Sequence, residues 1–435
     1  MQWDGEYRRE GEHMTGMTFG RRAFAALAGV GLAGLGLVGG IAAAQAGEIT
    51  FWTWRQEDKA AYAELFADFT KANPDVTVKF EAFAVENYAT TLSTALAAGR
   101  GPDVIHTRAY GGLEQFAKAG YLLALDPKEV PELANLPADA LASETLRADG
   151  KVYSLSFASQ TLGIFINNEV FKKAGVQAPG TWDQLIAVSK ALKEKGITPI
   201  ANGMATAWMD EVFTSVFTNP FLGQAFLDDI MAGKANFSDP RYIAALGKLL
   251  ELRDYLPQGF MGVDYATAQQ LFLSGRAGMF VGGSFEIANF RKQNPKIDMA
   301  FIAPPAPRAG DPRLVSKFYD GGYAVNAKAP NGKDALRLVR WMGTKQFGDK
   351  FASLLGNISP IKGVTLTDPM LVDVAKLNET SMAYIMAVHF RYETPTGSEL
   401  LQSGIQKMMA GSMTPAELGA SLTQGIQRYF KPFQK

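Results

Sequence analysis

Cysteine is absent from this 435-residue chain. That absence excludes disulfides, thiolate metal sites, cysteine nucleophiles and a lipidated N-terminal cysteine. Histidine is scarce: only His13, His106 and His389 occur. No two of them stand at ligand spacing, so no metal centre is expected. Neither charge sign is in excess, with 43 basic and 43 acidic residues, whereas nucleic-acid binders usually carry a basic surplus. No run of five like charges marks a charged tail. A GxSxG elbow, a P-loop, an HExxH pair and a Cys–His pair are also missing, and no cofactor is expected.

What is present begins with an address. Arg21-Arg22 opens a stretch, Ala23 to Ala46, without a charged residue, ending in Ala44-Gln45-Ala46. A basic start, an apolar middle and a small-x-small end make a secretory signal cleaved near Ala46. Arg21-Arg22-Ala23-Phe24 resembles the twin-arginine export pattern, although Gly20 stands where Ser or Thr is usual. The acids Asp4, Glu6, Glu10 and Glu12 do not suit such a leader, so Met14 or Met17 is an alternative start. Gly29-Val-Gly31-Leu-Ala-Gly34 matches GxGxxG, but it lacks the preceding strand and following acid of a dinucleotide site. The expected location is periplasmic.

Beyond residue 46 the hydrophobic pattern alternates between periods of two and of 3.6 residues. Ile49–Trp54 reads as a strand with Ile49, Phe51 and Thr53 on one face. Tyr62, Leu65, Phe66 and Phe69 make one helical stripe, stopped at Asn73-Pro74. Val76–Phe80 is the next strand, which completes a βαβ unit and implies a parallel sheet. Helices are expected at about 88–98 and 112–119, and strands at Val104-Ile105 and Gly163–Asn167. Thr181-Trp-Asp-Gln184 is a capping box. The final third reads as helical at Lys333–Trp341, Gln346–Leu355, Ser398–Met409 and Pro415–Tyr429. The fold class is α/β, and the length calls for two doubly wound lobes with a helical C-terminal region.

Eight segments follow one another along the chain: Ile49-Thr-Phe-Trp-Thr-Trp54, Asn73-Pro74-Asp75-Val76, Ala97-Ala-Gly-Arg-Gly-Pro-Asp-Val104, Leu162-Gly-Ile-Phe-Ile-Asn-Asn168, Pro179-Gly-Thr-Trp-Asp183, Phe272-Leu-Ser-Gly-Arg-Ala-Gly-Met279, Gly282-Gly-Ser-Phe-Glu286 and Gly321-Gly-Tyr-Ala-Val-Asn326. In that order they resemble the extracellular solute-binding proteins of ATP-driven importers, in the maltose/sugar-binding branch. The resemblance implies a type II periplasmic-binding-protein-like fold: two lobes joined by hinge strands, with the ligand between them. One lobe is expected to hold 47–156 plus 301–360, the other 157–300 plus 361–435. It also implies a monomer that hands a sugar or sugar alcohol to the transmembrane subunits of a permease, with no catalysis and no nucleic-acid partner. A secreted carbohydrate-active enzyme and a ligand-sensing accessory protein are the rival readings.

A sugar offers hydroxyls at its edge and C–H groups on its faces, so a site needs planar polar groups and aromatic plates. Candidates are sought on loops at strand ends. Trp54 and Arg55 end the first strand, Glu86 follows the second, and Arg108 and Tyr110 follow Val104-Ile105. Gln160 stands before the Leu162–Asn167 strand, at the hinge expected from the resemblance. Trp208 is a lone aromatic in an expected loop. Phe285 occupies a place where relatives often have Trp, beside Glu286. Asp320 and Gly322 precede the expected strand Tyr323–Val325, where glycine lets backbone come close to a ligand. Arg391 completes the set. Core packing and solvated side chains are the competing roles for each. Asp103 is expected to stabilise its turn and not to touch ligand.

Overall fold

A computed structural model describes residues 47–434; the expected export leader lies outside them. Two sheets organise the chain. The first runs β2 (Val76–Ala82), β1 (Gly47–Thr53), β3 (Val104–Arg108), β10 (Gly321–Val325) and β4 (Leu155–Ser156). β1 pairs in parallel with both β2 and β3, as the βαβ pattern predicts. β10 enters antiparallel, with Gly321 opposite Arg108 and Tyr323 opposite His106. The second sheet is built on β5 (Ser159–Asn167), which is flanked by β7 (Ala277–Gly283), β8 (Met299–Ile302) and β9 (Val315–Tyr319). β6 (Thr198–Ile200) and β11 (Ser381–Ala383) extend it.

The return from the second sheet to the first comes later than expected. Residues near 301 belong to β8, which pairs with β5 through Ile164 opposite Ile302. β9 also pairs with β5. Only at Gly321 does the chain rejoin the first sheet, because a short apolar strand such as Met299–Ile302 fits either core by pattern alone.

Each sheet is cemented by its own aromatic core. Tyr62, Leu65, Phe66 and Phe69 on the helix Lys59–Ala72 are buried, as their stripe requires. They pack with Phe51, whose ring stacks on Phe80 with centroids 5.8 Å apart. In the second lobe Phe165 lies 5.1 Å from Phe290 and 4.8 Å from Phe301. The helices Gly397–Met409 and Pro415–Ile426 close the same lobe through Ile405, Leu422 and Ile426. Each buried ring or aliphatic chain contributes about 1.5–3 kcal/mol by leaving water. The capping box at Thr181 forms as read, and Thr414 and Glu417 make another ahead of Pro415.

Asp103 has the structural role assigned to it. Its carboxylate accepts bonds from the Thr50 amide (2.9 Å), the Thr50 hydroxyl (2.8 Å) and the Asn331 amide (3.1 Å). Removing this acceptor leaves part-buried donors unsatisfied. Asp103→Ala is therefore expected to destabilise the protein by about 1–3 kcal/mol. An unchanged urea midpoint would contradict that role.

Candidate cleft between the lobes

Among the described residues the chain crosses between the lobes three times: at Ser156–Ser159, at Tyr319–Gly321 and around Asn357-Ile358. The Ser159 amide donates to the Ile358 carbonyl at 2.8 Å, and the Asp320 amide donates to Ala158 at 3.1 Å. Gln160 sits among the crossings, fully buried. Its amide donates to Asn357 Oδ1 at 2.8 Å, and its carbonyl oxygen accepts from the Ser284 hydroxyl at 2.6 Å. Both ends of this side chain thus serve the hinge.

The C-terminal ends of β1 and β3 and the start of β10 lie at one edge of the first sheet, the place where open α/β sheets present ligand groups. That register brings Trp54, Arg55, Arg108 and Asp320 together. Arg108 Nη1 donates to Asp320 Oδ1 at 2.6 Å, while its guanidinium carbon stands 3.9 Å over the Trp54 ring. Trp54 is nearly buried, stacked on His106 at 4.3 Å. Arg55 is also buried, held by Asp58 and lying 3.9 Å from Asp320. Burial pulls the Arg108 guanidinium down, and Arg391 and Arg55 repel it further while Asp320 supports its charge. His106 is driven well below its usual range by burial and by the same two arginines of the first lobe, so it stays neutral.

The second lobe supplies aromatic surface and a buried acid. Trp208 meets Tyr265 edge-on at 4.8 Å and Phe285 at 6.3 Å. Glu286, 1% exposed, accepts from the Tyr265 hydroxyl at 2.6 Å and from Gln269 at 2.9 Å. Burial raises its carboxyl to about 7 against those hydrogen bonds, with Glu57 of the first lobe adding repulsion. Arg55 and Glu57 are also felt by the Tyr265 hydroxyl. The charges of the first lobe thus act on buried groups of the second.

The remaining candidates fall elsewhere. Glu86 is not in a loop: it is exposed in the first turn of the helix Val85–Ala97. Trp208 is likewise helical, the second residue of Ala207–Met231. The preceding Thr206 makes no side-chain cap there because its hydroxyl accepts from the Tyr265 amide instead, so the usual start signal is missing. At Gly322 an added Cβ would lie 2.4 Å from Ser154 Oγ, and at Gly321 it would lie 1.9 Å from the Thr107 carbonyl. The close approach that these glycines permit is to neighbouring strands. Tyr110 adopts a left-handed backbone (φ 57°), and its hydroxyl accepts from the Tyr319 amide at 3.1 Å.

Arg391 is anchored by an acid that the sequence reading missed. Glu211, fully buried, accepts from Arg391 Nη2 (3.1 Å), the Ser398 hydroxyl (2.9 Å) and the Gln402 amide (2.6 Å). Arg391 in turn feels Asp320 of the other lobe. No spacing rule flags Glu211, since its partners are 180 or more residues away in sequence.

Two α/β lobes, three crossings and a polar-aromatic seam define a two-lobed binding protein. The model of the bacterial extracellular solute-binding proteins matches residues 52–347, and the chain belongs to that family. It is a solute-binding protein, not an enzyme. The multiple sugar-binding protein of Streptococcus mutans is 26% identical over 327 residues, 73% of this chain and 76% of that one. The maltotriose-binding protein of Pyrococcus abyssi is 28% identical over 329 residues, 74% and 68% of the two chains. Among solved structures, a chitin oligosaccharide binding protein superposes with a TM-score of 0.75 at 20% identity, covering 88% of this chain and 99% of that one. The maltose/maltodextrin-binding domain of Bdellovibrio bacteriovorus bound to maltotriose gives 0.70 at 21%, over 88% and 100%. At that identity these two share the fold. Among the described residues no helix is long and apolar enough to cross a membrane.

Proposed function

We propose that the protein captures a sugar or sugar alcohol between its lobes, closes on it about the crossing strands, and delivers it to the permease of an ATP-driven importer. The observation that carries this reading is the seam itself. One wall offers Trp54, Arg108 and Asp320, and the other offers Trp208, Phe285 and Arg391, while Arg55 and Glu286, buried and already paired, support the two walls from behind. Aromatic faces suit sugar C–H surfaces, and charged planar groups make strong bonds to hydroxyls. A ligand that touches both walls stabilises the closed arrangement through its differential affinity for that state. The names of the sugar-binding relatives support the same ligand class. The protein acts as a monomer outside the cytoplasm.

Thermal shift over a panel of sugars, polyols and uronates tests the reading. A true ligand at a hundredfold excess over its Kd adds about 2.7 kcal/mol of stability. Trp208→Ala is then expected to weaken that ligand about tenfold or more, as aromatic anchors do. A panel without a single shift, or sustained turnover of a glycoside, sinks the proposal.

A further inference from the structure

Adjoining the seam at Arg391, the lobes also touch through a second patch that uses no cleft aromatic. Gly111 opens the helix Gly111–Lys118 of the first lobe and is buried against the second. A Cβ added there would lie 1.9 Å from the Arg391 carbonyl oxygen and 2.9 Å from the Tyr392 amide. Both obstacles are backbone, so no side-chain rotation relieves them. Beside this contact, the Arg147 guanidinium carbon stands 3.3 Å from the Tyr392 ring centre. Lys118 Nζ reaches Glu393 Oε1 at 3.3 Å. Glu114, nearly buried on the same helix, holds both cations: it accepts from Arg147 Nε at 2.8 Å and pairs with Lys118 at 3.0 Å. The first lobe thus presents two oriented cations around a glycine notch, and the second presents a ring, a carboxylate and a flush backbone.

We infer that this patch is a latch: Gly111, Arg147 and Lys118 grip the segment Arg391–Glu393 and bias the lobes toward closure before any ligand arrives. The inference rests on the capture-and-closure reading above and adds residues that set affinity without touching the guest. A cation over an aromatic face and a half-exposed ion pair are each modest contacts. Apparent affinity scales with the fraction of molecules already in the competent state, so modest contacts here tune binding directly. The glycine is the steric condition for the whole contact.

The chain has no cysteine of its own, so Lys128→Cys on the first lobe and Lys407→Cys on the second, both exposed, give a unique spin-label pair. Distance distributions of the ligand-free protein are the readout, which needs no knowledge of the ligand. The unsubstituted latch is expected to show a short-distance population. Arg147→Ala and Tyr392→Ala should shrink its ratio to the open population about two- to fivefold, while Tyr392→Phe, which keeps the ring, should preserve it. Gly111→Val is expected to abolish it. If Gly111→Val fails to fold, the two alanine variants decide. Distributions identical across all variants, or a parent protein already open to the same extent, overturn the latch. Failure of every sugar to shift stability would instead strike the function proposed above, and would leave this ligand-free result standing.

Discussion

Asp210→Asn is expected to stabilise the protein by about 2–4 kcal/mol at pH 8 and to change little at pH 4. Asp210 lies in the first turn of the helix Ala207–Met231, fully buried. Neither carboxylate oxygen has a hydrogen-bond partner among the described residues. Burial drives its carboxyl up to about 8; the Gln406 amide, which would oppose this, donates instead to the Met204 carbonyl at 2.9 Å. A folded-state value above the unfolded one means the native protein holds the proton more tightly. The acid is harmless below about pH 4, and it costs stability increasingly as pH rises toward 8, where the unfolded chain has long since released its proton. Asparagine has the same shape and does not titrate. Urea midpoints of both proteins at pH 4 and pH 8 give the check, and a gap of equal size at both pH values would defeat the argument.

The first lobe was legible because its elements announce themselves. Tyr62, Leu65, Phe66 and Phe69 keep a helical period, Ile49, Phe51 and Thr53 alternate on one face, and all seven are buried. In the second lobe the helix Ala207–Met231 is covered on every side: Met209 through Pro220 are all buried. A helix buried all round has no polar face, so period analysis finds no stripe. Pro220 and the non-helical Gly223 inside it hide it further. The strand Ser159–Asn167 was visible as apolar sequence, but its antiparallel neighbours β7, β8 and β9 are chosen by long-range pairing.

Candidate site residues divide along the same line. Arg55, Arg108 and Asp320 were legible as strand-end residues because strand ends are local features, and the register of β3 with β10 brings two of them together. Gln160 was placed at the hinge by resemblance, yet its partners Asn357 and Ser284 are more than 120 residues away. Nothing nearby in the sequence says whether a polar side chain is free or already committed. The same blindness hid Glu211, which stands next to Asp210 and shares its burial.

Those two neighbours should respond to neutral substitution in opposite directions. Glu211 accepts three hydrogen bonds, from Arg391, Ser398 and Gln402. Its charge is matched and its oxygens are filled, so losing it strands a guanidinium and two donors. Glu211→Leu is expected to destabilise the protein by about 3 kcal/mol, the low end for a broken buried pair. The low end applies because the Arg391 side chain is 36% exposed and can turn toward water. Glu211→Gln, which keeps an acceptor without the charge, should lose roughly half as much. Burial is complete for both acids, so burial alone assigns them the same sign. Only the hydrogen-bond partners distinguish them. Urea denaturation at pH 8 of Asp210→Asn and Glu211→Gln, side by side, therefore isolates the effect of the partners: shifts of the same sign would show that the bonds around Glu211 do not hold this helix to the C-terminal segment.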